Sequence, residues 1–128
     1  MKKVTLLLLI TVLMISCLPI SVLSETYSTM ALRENNVVLY LTLNGNTAKA
    51  SATMILFEGY TSVTTLTLQQ QENGGWSDIV SWTSSEREFS KTTSISKGTY
   101  RLSATSIIYN GNTYVDTIYR TSGNKTYK

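Results

Sequence analysis

The stretch Val37-Val38-Leu39-Tyr40-Leu41-Thr42-Leu43-Asn44-Gly45-Asn46-Thr47-Ala48-Lys49-Ala50-Ser51-Ala52-Thr53-Met54 decides the fold. Apolar residues recur at Val37, Leu39, Leu41 and Leu43, then at Ala48, Ala50, Ala52, Met54 and, just beyond, Leu56. A spacing of two is that of a half-buried β-strand, because successive side chains of extended backbone point to opposite faces. Asn-Gly between the two runs supplies the positive φ angles of a type I′ turn, whose twist matches paired strands. Closing a two-residue turn at Asn44-Gly45 predicts that Leu41 pairs with Ala48 and Leu39 with Ala50. Both apolar sets then share one face of the hairpin. Large residues opposite Ala suit an interdigitated core.

Two more Asn-Gly pairs, Asn73-Gly74 and Asn110-Gly111, sit between segments rich in Val, Ile, Leu, Thr and Tyr. The second predicted hairpin runs from Val63 to Gln71 and from Trp76 to Trp82. Strict alternation places Leu66 and Leu68 with Ile79, and Trp76, Val80 and Trp82 on the opposite face. Both faces are then partly apolar, and the core side stays open; a β-bulge at Gly75 would resolve the conflict. The third hairpin spans Tyr100–Tyr109 and Thr113–Arg120. Leu102, Ala104 and Ile108 fall on one face with Val115 and Tyr119; Arg101, Ile107 and Tyr109 fall on the other with Tyr114, Ile118 and Arg120. Weaker strands around Phe89–Ile95 and Thr26–Arg33 bring the count to about eight. Short strands at this spacing, without crossover helices, predict an all-β chain folded as an antiparallel β-sandwich of 7–8 strands. Thr and Ser, 18 and 13 of the residues after Ser24, suit the solvated faces of such sheets.

Gly98-Thr99-Tyr100-Arg101-Leu102 resembles the tyrosine-corner region of immunoglobulin-like and fibronectin-like sandwiches, where a Tyr hydroxyl bonds to backbone a few residues upstream. Ile95 would pack beneath it. The alternative is a Tyr that opens a strand with no special bond. More broadly, Leu68-Gln69, Gly75-Trp76, Val80-Ser81-Trp82, Lys97-Gly98-Thr99-Tyr100-Arg101-Leu102 and Tyr109-Asn110-Gly111 resemble small secreted Gram-positive (Firmicutes) proteins grouped as a domain of unknown function. The resemblance covers roughly half of the chain after the leader. It implies a secreted β-domain and a Gram-positive source, and it brings no activity.

Before the hairpins, Lys2-Lys3 precede an apolar run from Val4 to Ile15, Pro19 breaks it, and Val22-Leu23-Ser24 follows. Charged segment, apolar segment and small-residue cleavage site form the layout of a secretory signal peptide over residues 1–24. Residues 25–128 would then be a single secreted domain, extracellular in location. Val22 and Ser24 fit the −3 and −1 positions of ordinary cleavage. Cys17, after Met14-Ile15-Ser16, is a looser match to a lipoprotein box, in which a lipidated Cys17 would hold the protein at the cell envelope. Membrane association is expected only in that second case.

Removing the leader removes Lys2 and Lys3, so nine basic residues face eight acidic ones and the net charge falls from +3 to +1. The remaining charges are scattered, which gives no basis for nucleic-acid binding. The chain has no His and its one Cys is in the leader. Ser-His-Asp and Cys-His catalysis and the common zinc sites are thereby excluded. No cofactor and no metal are expected.

The outer face of the third hairpin is the best candidate surface. Ile107, Tyr109, Tyr114 and Ile118 would form an aromatic and apolar patch edged by Arg101, Asp116 and Arg120, of the kind that binds partners or stacks on sugars. The alternative is that the rest of the domain covers them. Trp82 is expected in the core, and Trp76 as the exposed aromatic, with ligand stacking as its less favoured role. Glu86 and Glu88 share a strand face, and a carboxylate pair is what glycoside hydrolysis needs; their setting reads as a solvated loop. The primary expectation is therefore a non-enzymatic extracellular or cell-envelope interaction module whose partner is a protein or a cell-surface glycan. A small secreted carboxylate-dependent glycoside hydrolase and a bacteriocin-like antagonist are the alternatives.

Overall fold

Alternating burial organises residues 34–128, the part of the chain that a computed structural model describes, into eight strands. They are β1 (Asn36–Asn44), β2 (Thr47–Ile55), β3 (Tyr60–Glu72), β4 (Gly75–Ser84), β5 (Glu88–Ser94), β6 (Gly98–Asn110), β7 (Thr113–Thr121) and β8 (Lys125–Tyr127). The expected leader, Cys17 and the expected strand at Thr26–Arg33 lie outside the described residues. Among the described residues β8 is a strand that the alternation pattern does not predict.

Three strands form one sheet in the order β1-β2-β5; the other runs β4-β3-β6-β7, with β8 continuing beyond β7 along the same edge of β6. All pairings are antiparallel. The chain changes sheet between β2 and β3, β4 and β5, and β5 and β6, which gives Greek-key connections. This strand order is that of the immunoglobulin/fibronectin-like sandwich, the fold expected from the sequence.

The core lies between the sheets. The middle strand β2 contributes Ala48, Ala50 and Ala52, all fully buried, and β3 and β6 contribute Leu66, Leu68, Leu102, Ile108 and Tyr100. Val37, Leu41, Met54, Phe89, Ala104 and Ile118 complete one contiguous cluster, with Trp82 and Ile95 packed at its margin. Small residues on β2 leave room for the large ones opposite, as close packing requires.

Turn geometry corrects the first register. The loop is Gly45-Asn46, so Leu41 pairs with Ala50 and Leu39 with Ala52 rather than with Ala48 and Ala50. Gly45 has φ of 57°, whereas Asn73 is the only non-glycine described residue with positive φ, so Gly45-Asn46 carries the φ signs of a type II′ turn. Either turn keeps the same residues on the core face. The observed one also matches Leu43 with Ala48 and Val37 with Met54, one more apolar pair than the expected register allows. The third hairpin closes likewise on Gly111-Asn112. Asn73-Gly74, with φ of 49° and 79°, is the type I′ turn expected.

Two bulges set the faces of the larger sheet. Leu68 pairs with Val80 but Gln69 pairs with Asp78, so Ile79 is the extra residue. The bulge expected at Gly75 therefore lies four residues later. It brings Val80 and Trp82 onto the core side with Leu66 and Leu68, and leaves Ile79 exposed. On β7, Tyr109 pairs with Tyr114 and Ile108 with Asp116, so Val115 is extra.

The tyrosine corner is present. Tyr100, buried to 1 % exposure, donates its hydroxyl to the Ser96 carbonyl oxygen at 2.7 Å. At the far side of β6, Ser122 replaces a strand neighbour: its Oγ accepts from the Leu102 amide at 2.7 Å, and its own amide donates to the Leu102 carbonyl at 2.9 Å.

Candidate functional site

The pairing registers lay out the outer face of the β4-β3-β6-β7 sheet as cross-strand rows. From the β6–β7 turn downward they read Thr61, Tyr109, Tyr114; then Val63, Ile107, Thr117; then Thr83, Thr65, Thr105, Tyr119; then Ser81, Thr67, Ser103, Thr121. A final row holds Asp78, Gln69 and Arg101, with Trp76 beside it on β4.

The upper rows are aromatic and aliphatic. Tyr109 and Tyr114 stand directly opposite, and the Tyr114 hydroxyl bonds the Thr117 hydroxyl at 3.0 Å. Tyr114 is 59 % exposed, Tyr119 69 % and Val63 38 %; Ile107 and Tyr109 are half-buried. The middle rows are hydroxyls paired across strands, Thr65 with Thr83 at 3.1 Å and Thr67 with Ser81 at 2.7 Å. The lower end carries the charges, and they are engaged. Gln69 donates through Nε2 to Asp78 at 2.8 Å and accepts from Arg101 Nε at 2.8 Å. The Arg101 guanidinium lies 4.2 Å from the Trp76 ring centroid, within the range of a cation–π contact.

Of the residues expected to form one patch, Ile107, Tyr109 and Tyr114 are brought together and Ile118 is not. The Val115 bulge shifts the alternation by one residue, which turns Ile118 inward beside Ser106 (7 % exposed) and Tyr119 outward beside Thr105. The expected placement of Val115 and Tyr119 on the core face is corrected with it. Arg120 also leaves the face: its guanidinium reaches Asn36 Oδ1 on β1 at 3.0 and 3.2 Å. Trp76 is on the outer face but half-buried and roofed by Arg101, so one ring face that could stack on a ligand is already occupied. Trp82 is half-buried against the core.

Tyr119 and Val63 are the residues that sequence reasoning missed. In β4 and β7 strict alternation puts apolar residues on both faces, Ile79 against Val80 and Trp82 and Tyr119 against Ile118, and that two-faced pattern is the sequence signal compatible with a bulge.

Glu86 and Glu88 are both exposed, one in the β4–β5 connection and one opening β5. A cleft of about 260 Å³ lies against Leu41–Leu43, Lys125 and Thr126, and one of about 380 Å³ against Thr42, Asn44, Thr47, Lys49 and Thr92; neither is lined by a carboxylate. Among the described residues no three His, Cys, Asp or Glu side chains cluster as a metal site. Glu72 accepts a bond from Ser77 at 3.1 Å.

The strand order and the tyrosine corner together define the chain as an immunoglobulin/fibronectin-like β-sandwich. Neither a family model nor a curated protein matches it. Among solved structures it is similar to the extracellular region of rat CD45, domains d3–d4, at 14 % identity and a TM-score of 0.41. That match covers 69 % of this chain and 47 % of the other, so the chain spans about half the length of the CD45 structure.

Proposed function

We propose that the protein is an exported, non-enzymatic β-sandwich that serves as an extracellular or cell-envelope interaction module, with the outer face of the four-stranded sheet as its contact surface. One observation carries this reading: exposed Tyr114 and Tyr119 share a face with Ile107, Tyr109 and Val63. Clustered exposed rings mark interaction sites, and Tyr is enriched there because it combines apolar area with a polar tip. The leader-like residues 1–24 support export, as does the resemblance to small secreted Gram-positive proteins.

The test is retention of the purified mature protein on envelope material from the producing cells. Tyr114→Ala/Tyr119→Ala is expected to lose retention while keeping the wild-type circular dichroism spectrum; undiminished retention refutes the assignment of the face. The intact mass of the native protein separates the two forms of export, a free chain starting at Glu25 or a chain lipidated at Cys17.

A further inference from the structure

We infer that the occupant of this face is an uncharged polysaccharide; the inference rests on the outer face being the contact surface. The first ground is charge. The four upper rows carry no ionisable group other than tyrosine. At the lower end, Asp78 and Arg101 are linked through Gln69, and Arg101 also lies over Trp76. Charged partners are selected and steered by opposite charge. The cation on these rows, Arg101, sits half-buried at the lower end on Gln69 and Trp76, so the upper rows offer an anionic polymer or an acidic protein no charge to meet. An uncharged partner loses nothing.

The second ground is hydrogen-bonding capacity. A hydroxyl has one donor and two acceptor positions, so the pairs Thr65–Thr83 and Thr67–Ser81 are held in place by one bond each and keep further capacity toward solvent. Sugar hydroxyls donate and accept in the same way. The third ground is spacing. Rows stand about 6.6 Å apart along the strands and about 4.8 Å across them, so the face is a regular lattice of hydroxyls and rings. Tyr114 and Tyr119 lie two rows apart, about 13 Å along the sheet. That distance fits a run of sugar rings whose apolar C–H faces rest on the aromatic rings, and it exceeds one sugar. An open sheet face of this kind takes the side of a chain rather than its end.

The test is co-sedimentation with insoluble neutral polysaccharides (cellulose, chitin and a β-glucan), with an anionic polysaccharide as the contrast. The wild-type protein is expected to bind at least one neutral polymer, and to keep binding it in about 0.5 M salt, where charge-based attraction is screened. Tyr119→Ala and Tyr114→Ala should each weaken it by about tenfold, and Lys49→Ala, on the opposite sheet, should leave it unchanged. Binding only to the anionic polymer, or binding abolished by salt, overturns the inference. Retention on envelope protein without retention on any neutral polysaccharide also overturns it and leaves the interaction module standing. Polysaccharide binding that survives both tyrosine substitutions overturns the face itself.

Discussion

Ile118 and Tyr119 are neighbours whose fates depend on one inserted residue, and substituting each in turn tests the Val115 bulge directly. Without the bulge, alternation along β7 would bury Tyr119 and expose Ile118. With it, Ile118 is 7 % exposed and Tyr119 69 %. Ile118→Ala removes three carbons from the core side, each worth about 0.8 kcal/mol of burial. A cavity term adds to this and relaxation of the edge strand offsets it, so a loss of about 2–3 kcal/mol is expected. In a domain of this size each kcal/mol lowers the melting temperature by about 4–8 °C, and Ile118→Ala should melt roughly 10–20 °C below wild type. Tyr119→Ala removes an exposed ring and should stay within about 0.5 kcal/mol. Urea unfolding followed by the fluorescence of Trp76 and Trp82 reads both values. The reverse order, with Tyr119→Ala the damaging change, would falsify the bulge and return Ile118 to the surface patch.

Three further outcomes follow from the same geometry. Tyr100→Phe keeps the packing and removes the bond to the Ser96 carbonyl, so a loss of about 1 kcal/mol is expected in chemical denaturation, against about 3–5 kcal/mol for Tyr100→Ala; a Phe variant as stable as wild type would show that the corner bond contributes nothing. Thr64 and Ser106 bond to each other in the core, and either Thr64→Val or Ser106→Ala strands the partner's hydroxyl at about 1–3 kcal/mol. The double variant should be more stable than the summed losses imply, and simple additivity in a double-mutant cycle would refute the coupling. Arg101→Ala uncovers Trp76 and should raise the quenching of tryptophan fluorescence by acrylamide; unchanged quenching would mean that the guanidinium does not rest on the ring.

The interaction surface illustrates how far local pattern reaches. Ile107, Tyr109 and Tyr114 were legible as one face because they lie close to the turn, before the bulge at Val115 intervenes. Tyr119 and Ile118, beyond it, were read onto the wrong faces. The uncharged character of the patch was hidden for the same reason. Arg120, expected at its margin, is turned away toward Asn36, and Arg101 is held at the lower end by Gln69 and Trp76. None of these partners is adjacent in sequence.

What the sequence by itself determined are the features that depend on a few consecutive residues. Alternation along Val37–Leu43 and Ala48–Met54 dictates strands, the three Asn-Gly pairs dictate hairpins, and Gly98-Thr99-Tyr100 announces the corner that Tyr100 makes. Only the tertiary structure decided which residues each strand faces. Asn44-Gly45-Asn46 and Asn110-Gly111-Asn112 each allow a turn on either dipeptide. The extra residue in β4 or β7 has several places to go at similar local cost. The choice is made by burial. Val80 and Trp82 gain the core beside Leu66 and Leu68 only if Ile79 bulges, and Ile118 gains it only if Val115 does. Because side chains alternate with a period of two, a single bulge inverts every position after it. The opposing sheet decides where that inversion falls, and with it which tyrosines face the outside.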